Sequence, residues 1–153
     1  MSNLYDQDVY LWSQRQAKLL REAARAGSNS PVDWEHVAEE IESLGNEQAH
    51  AVESHIARVI EHLLLLQASP AMDPRRGWID SVSDARSEIE HRLKRNPSLG
   101  REVAGMIAWA MPHARKKVRG KLELYGERPR TDLEALSYSE EQVLGDWWPR
   151  LLP

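Results

Sequence analysis

Two Glu-x-x-His pairs in the sequence have the spacing of metal ligands: Glu47 with His50, and Glu88 with His91. Two such pairs on facing helices, joined by one glutamate from each of two further helices, can bind two metal ions. That chemistry requires every ligand to project into the core. At 100° per residue, however, all four side chains lie roughly 100–180° from the apolar direction of their helices. We therefore expect solvated pairs, no metal site and no cofactor.

His55 and His62 differ from these pairs because both fall on the apolar stripe of one helix. They are separated by about 10.5 Å along the axis, which is too far for both to bind one ion. A buried imidazole needs its own partner, since an unpaired buried polar group costs on the order of 1–3 kcal/mol. The favoured interpretation is a core histidine hydrogen-bonded to a glutamate or a carbonyl. The alternative makes His62 a general base or ligand at the bottom of a cleft.

The stretch AEEIESLG places three glutamates among apolar residues before a glycine. Helical phase puts Glu40 on the flank that His62 shares, and Arg86 has the matching position on the following helix. We expect a half-buried Glu40–Arg86 ion pair at a helix–helix seam, within reach of His62 or the Trp78 indole. Glu40, His62 and Arg86 are thus the catalytic candidates, although a structural role is favoured because ion-pair networks also resemble active sites.

RKKVRGK is the densest basic run of the chain, and its cations are candidates for binding a partner: Arg115, Lys116, Lys117, Arg119 and Lys121. On a helix they point in several directions. The formal net charge of −4 and the lack of interleaved aromatic residues weigh against nucleic acid.

Helical spacing extends over the whole chain, and no β alternation of useful length occurs. The pattern predicts four long helices at about 3–26, 32–67, 78–95 and 98–124. Tyr5, Leu19 and Leu44 are expected on inward faces. Gly45 marks a bend or a close helix contact, and Pro112 kinks or splits the last long helix.

The C-terminal part predicts a short helix, because Ser139 and Gln142 have capping-box spacing. The aromatic segment DWWPRLLP follows, and we expect it to dock on the helices. The fold class is therefore all-α: an antiparallel bundle of four or more helices, in a single domain over 1–153. The residues expected to be structural are Trp12, Gly45, His55, Trp78, Trp147 and Trp148.

The 153 residues include no cysteine, which excludes disulfides and thiolate metal sites. No apolar run reaches the roughly 18 residues of a membrane span. The first residues do not resemble a signal peptide. A cytoplasmic protein without membrane association is the expectation.

Several segments, in this order, resemble the DUF29 family of bacterial proteins, which has no assigned function: YDQDVYLWSQRQAKLLR, VAEEIESLG, HLLLLQ, GWIDSVSDARSEI, NPSLGREV and SEEQVLGDWWP. The resemblance covers nearly the whole chain and implies an all-helical fold without implying a reaction. The family often has a positive residue after HLL, where this chain has Leu65 and Leu66.

Three classes of function remain open. The favoured one is a non-enzymatic interaction or regulatory protein, antitoxin-like or immunity-like, that binds a protein partner or a second copy. The second is a hydrolase or ligand-binding bundle that uses Glu40, His62 and Arg86, so whether the protein is an enzyme stays open. The third is nucleic-acid binding through Arg115–Lys121. The sequence contains no Gly-rich phosphate loop, nucleophile elbow or HExxH motif.

Overall fold

The helices account for most of residues 3–151, which the computed structural model describes, and no strand occurs in that range. Between residues 3 and 151, four helices are long and two are short: α1 Leu4–Gln7, α2 Val9–Arg25, α3 Trp34–Ala68, α4 Arg75–Arg95, α5 Val103–Leu124 and α6 Glu140–Leu144. Two 3₁₀ segments, Pro97–Glu102 and Leu133–Ala135, precede α5 and α6. The predicted all-α class and the short C-terminal helix are confirmed.

Within the described residues, the chain folds into two compact units. The first unit contains 3–51 and Arg92–Arg101, and the second contains Val52–His91 and 102–151. The single domain expected over 1–153 stays a prediction. None of the helices in 3–151 combines the length and the apolar character that crossing a bilayer requires.

The helix predicted at about 3–26 is interrupted in the structure, because Asp8 adopts an extended conformation between α1 and α2. The Asp8 carboxylate is the N-cap of α2 and accepts a hydrogen bond from the Leu11 amide at 2.7 Å. It also accepts from the amide and hydroxyl of Ser98, at 2.6 and 3.0 Å. The buried carboxylate thus accepts from a free backbone amide at the start of α2 and at the same time binds the 3₁₀ segment Pro97–Glu102.

Gly45 makes a close helix contact, as one of the two alternatives predicted. A Cβ placed on Gly45 would lie 1.9 Å from Ser13 Oγ on α2. Ser13 and Ala17 form the buried side of α2. The expected inward positions of Tyr5 and Leu19 are wrong, because these side chains are 47% and 55% exposed.

Helix α3 continues through Gly45 for 35 residues, so the glycine does not end it. Leu44 is 53% exposed, which contradicts its expected inward position. Close approach therefore explains the glycine that ends AEEIESLG, since only a residue without a side chain lets α2 and α3 come this near.

The second unit contains most of the apolar core, to which α3, α4 and α5 contribute. Its fully buried larger side chains are Val52, Ile56, Val59, Ile60, Leu63, Leu64, Leu66, Val82, Ile89, Val103 and Val118. Helix α5 runs without a break through Pro112, so of the two alternatives predicted there, a kink or a split, the split does not occur.

Three arginines of the second unit bind the C-terminal segment through its main chain. Arg115 donates hydrogen bonds to the carbonyls of Leu133 and Leu136, at 3.1 and 2.6 Å. Arg75 donates from Nε to the carbonyl of Leu151 at 2.7 Å. The contact of Arg75 with Leu151 confirms the predicted docking of the segment DWWPRLLP as far as residue 151; its last two residues lie outside the described range.

Arg86 is the third of these arginines. Its guanidinium donates to the carbonyls of Gln142, Val143 and Trp147, at 2.7, 3.0 and 2.7 Å. It also lies over the Trp148 ring, 4.8 Å from the ring centroid. A planar cation with five donors can satisfy several carbonyls at once, which explains why arginine occupies these positions.

Candidate functional site

A cleft of about 490 Å³ lies between α3 and α5 in the second unit. Its volume falls in the range of about 300–1,000 Å³ that is usual for ligand pockets. Its charged and aromatic lining comes from Arg58, Glu61 and His62 on α3, and from Trp109, His113, Lys117 and Lys121 on α5. Of the three catalytic candidates predicted from the sequence, only His62 lines this cleft.

Glu61 binds both lysines of the cleft. Its side chain is 9% exposed, and it accepts hydrogen bonds from Nζ of Lys117 at 2.8 Å and of Lys121 at 2.5 Å. Burial acts to raise the pKa of Glu61, but the hydrogen bonds and charges of the two lysines outweigh it and lower the pKa below its usual range. Glu61 is therefore a carboxylate at neutral pH, which positions the two ammonium groups.

His62 is half-buried, and its tautomer follows from one contact. Its Nδ1 lies 2.8 Å from the carbonyl oxygen of Arg58, one turn earlier on α3. A carbonyl only accepts, so Nδ1 carries a proton and Nε2 is the basic nitrogen. Ser81 Oγ lies 3.5 Å from this same protonated Nδ1. His62 in this tautomer cannot take a proton from Ser81 through Nδ1, so the geometry does not form a serine–histidine nucleophile.

Burial, the largest influence, lowers the pKa of His62 below its ordinary value. In the unfolded chain His62 therefore takes up a proton at a higher pH than in the folded protein. The stability that it contributes is complete above its unfolded pKa of about 6.5 and is lost as the pH falls through the histidine range.

We expect the wild type to lose more free energy of unfolding than His62→Gln when the pH is lowered from 7.5 to 5.5. Urea unfolding of both proteins at each pH measures this difference, and comparison between them cancels the contributions of the other histidines. A larger loss for the variant than for the wild type would contradict the assigned direction.

Trp109 and His113 form an aromatic surface at the cleft. Their rings are stacked, with centroids 4.3 Å apart and an interplanar angle of 25°. The Trp109 side chain is 62% exposed. His113 Nδ1 lies 2.8 Å from the Trp109 carbonyl oxygen, which fixes the imidazole against the indole. Tryptophan is enriched at interfaces, so this exposed ring is available for contact with a ligand.

The cleft concentrates positive charge on an acidic protein. Arg58, Lys117 and Lys121 contribute three positive charges, and Glu61 contributes one negative charge. The formal charge is +2 with the histidines counted as neutral, while the whole chain has −4. Such a cleft focuses a potential that favours anions.

Glu40 and Arg86 do not have the predicted environment. Glu40 belongs to the first unit and is exposed, so the expectation of a half-buried carboxylate is wrong. The guanidinium of Arg86, in the second unit, binds main-chain carbonyls in place of the predicted carboxylate. Burial lowers the pKa of Arg86.

The basic run Arg115–Lys121 is divided among different contacts. Arg119 pairs with Glu134 at 2.7 Å, and Arg115 binds the carbonyls of Leu133 and Leu136. Lys117 and Lys121 bind Glu61, while Lys116 is exposed. Two of the five predicted partner-binding cations therefore line the cleft, and the run does not present one continuous face.

Of the residues predicted to be structural, Trp12 and Trp147 contact another aromatic ring. Trp12 packs edge-on against Tyr5, with centroids 4.9 Å apart. Trp147 contacts Tyr138 at 6.0 Å, and His55 and Trp78 are half-buried.

The two Glu-x-x-His pairs have exposed side chains, as their helical phase indicates. Within residues 3–151, no group of three or more histidine, cysteine, aspartate or glutamate side chains is placed to hold a metal ion. The expectation that the chain uses no metal or cofactor stays a prediction.

Sequence reasoning missed the charged and aromatic cleft residues Arg58, Glu61, Trp109 and His113, as well as the small residues Ser54 and Ala57. A partial signal exists, because Trp109, His113, Lys117 and Lys121 follow one another at four-residue intervals and thus share one side of α5. That side is polar, and the polar side of an amphipathic helix ordinarily faces solvent.

The sequence profile described as "Domain of unknown function DUF29" matches residues 4–148. The chain belongs to the DUF29 family. Among solved structures, this DUF29 protein is similar to an alpha-helical protein of unknown function from Rhodospirillum rubrum, with a TM-score of 0.78 and 21% sequence identity over 100% of both chains. At that identity, the likeness shows a shared fold. No curated protein matches the sequence.

Proposed function

We propose that this DUF29 protein binds a phosphorylated small molecule in the cleft between α3 and α5. The observation that supports the proposal is the buried Glu61 carboxylate, which holds two lysines at 2.5 and 2.8 Å beside a third cation, Arg58, in one cavity. Each ammonium has three donors, so both lysines retain donors for a ligand.

The charge of the cleft matches a phosphate monoester better than a carboxylate. A phosphate monoester carries about −1.5 to −2 at pH 7 and offers several acceptor oxygens. This balances the formal +2 of the lining, whereas one carboxylate would leave an excess of positive charge. Lysine ammonium groups also bind phosphate as point charges, which suits the two lysines of the cleft.

Lys117→Met provides the test, with inorganic phosphate as the probe. Lys121 remains to pair with Glu61, so the variant keeps a partner for the buried carboxylate. We expect phosphate to bind the wild type and the variant to bind it at least about tenfold more weakly, since a hydrogen bond to a charged group contributes about 1.5–3 kcal/mol. Isothermal titration calorimetry at low salt measures both affinities.

Lys116→Met is the matched control, because Lys116 is the neighbouring exposed lysine and does not line the cleft. Its affinity for phosphate should stay within about twofold of the wild type, and binding by all proteins should weaken as salt rises. Failure of the wild type to bind millimolar phosphate, or an equal loss in both variants, would contradict the proposal.

Partner binding and nucleic-acid binding stay predictions. For a protein partner, the relevant feature of the first unit is the exposed apolar face of α3, where Val37 and Leu44 are 38% and 53% exposed. These residues lie seven apart, on the same side of the helix. Nucleic-acid binding loses support from the basic run, because Arg115 and Arg119 are engaged within the protein.

A further inference from the structure

A second cavity, of about 260 Å³, lies next to the cleft in the same unit. Its lining is mainly apolar and aromatic: Leu65, Pro74, Trp78, Leu122 and Tyr125, with Lys121. Glu127 also lines it, and its carboxylate accepts a hydrogen bond from the Ser69 hydroxyl at 2.8 Å. The chemistry of this cavity therefore contrasts with the cationic cleft.

Lys121 lines both cavities. Along α3, the cleft ends at His62 and the second cavity begins at Leu65, within one turn. Along α5, the cleft ends at Lys121 and the second cavity continues to Tyr125 beyond the helix. The two cavities thus follow each other along the same pair of helices, with the lysine at their junction.

The junction places an ammonium group where a charged part and an apolar part of one ligand would meet. Lys121 Nζ is directed to Glu61 in the cleft, so its charge belongs to the cationic end. Its hydrocarbon stem can line the apolar end, as lysine stems do along apolar surfaces. The Tyr125 side chain is 69% exposed, which leaves an aromatic ring available for contact.

We infer that the ligand is a phosphate monoester of an aromatic or similarly apolar group, with the phosphate at Lys117 and Lys121 and the ring at Trp78 and Tyr125. This inference rests on the proposed function, because it assigns the phosphate to the cleft. The apolar cavity then selects among phosphate esters by the group that they carry. Burial of a ring on binding supplies affinity that inorganic phosphate lacks.

The test compares three probes: inorganic phosphate, 1-naphthyl phosphate and uncharged 1-naphthol. We expect 1-naphthyl phosphate to bind at least about tenfold more tightly than inorganic phosphate, and 1-naphthol to bind more weakly than the ester. In ¹H–¹⁵N NMR spectra, both phosphates should shift the backbone amide of Lys117, whereas only the naphthyl ester should shift the indole N–H of Trp78.

Tyr125→Ala is the decisive variant, since its exposed position keeps the core intact. It should weaken binding of 1-naphthyl phosphate about fivefold or more while leaving inorganic phosphate within about twofold. Equal affinities of the wild type for the two phosphates, or no effect of Tyr125→Ala on the ester, would overturn the inference and leave the phosphate site standing. Absence of binding by either phosphate would overturn the proposed function itself.

Discussion

Replacing Arg75 by methionine should lower the free energy of unfolding by about 3 kcal/mol, because several main-chain carbonyls then lose a charged donor. Arg75 is 4% exposed. Besides Leu151, its guanidinium donates to the carbonyls of Leu66, Ser69 and Ala71. Leu66 is in the last turn of α3, whose final carbonyls lack partners within the helix and carry the negative end of its dipole.

Urea unfolding measures this loss. Arg76→Met is the matched control, because Arg76 is the next residue, is exposed, and has the same side chain; its free energy of unfolding should stay within about 0.5 kcal/mol of the wild type. Arg75→Lys should fall between the two, since an ammonium keeps the charge but not the planar set of donors. A loss below about 1 kcal/mol for Arg75→Met would show that water replaces these contacts without cost.

Replacing Gly45 by alanine should destabilise the protein by about 1–3 kcal/mol, although alanine is the better helix former. The added Cβ would meet Ser13 Oγ at 1.9 Å and Ser13 Cβ at 3.0 Å. The hydroxyl can rotate only by giving up its hydrogen bond to the Tyr10 carbonyl, at 2.7 Å. The backbone of α2 or α3 must then shift. The free energy that this shift costs exceeds the gain of about 1 kcal/mol from the better helix propensity of alanine.

Gly105→Ala is the control, because it should change the free energy of unfolding in the opposite direction. Gly105 lies in α5, and a Cβ there would meet nothing within 4 Å. That variant should gain up to about 1 kcal/mol, so the two substitutions differ in direction under the same urea assay. Ser13→Ala combined with Gly45→Ala should recover part of the loss, because it removes the nearest atom and leaves the Cβ contact. A stabilised Gly45→Ala protein would disprove the close contact.

The cleft is predictable only in part from the sequence, and Glu61 shows why. By helical phase it lies about 160° from Ile41, on the side that the apolar stripe of α3 leaves to solvent. Glu61 is nevertheless buried, and so are its neighbours Ile60, Leu64 and Leu65. The second half of α3 is thus covered on more than one side. A single inward stripe describes a helix at a surface and fails for one that has neighbours around it.

The hydrogen bonds of three arginines to the C-terminal segment are a second feature that helical phase does not predict. In the sequence Arg75, Arg86 and Arg115 are ordinary cations, and helical phase predicts a carboxylate partner for Arg86. Their actual acceptors are carbonyls, which every residue has and which therefore leave no trace in the pattern of side chains. For the acceptors beyond α5, the path of the chain from Leu133 to Leu151 decides which carbonyls come within reach of the three arginines.

The amino-acid sequence by itself determined the all-α class, the approximate extent of the long helices and the Ser139–Gln142 capping box, which the structure confirms. These features depend on interactions between residues a few positions apart, so local order is enough to predict them. The tertiary structure alone decided that Glu61 holds Lys117 and Lys121, which are 56 and 60 residues away. Helical phase gives the direction of a side chain, but the neighbour in that direction depends on how distant segments pack.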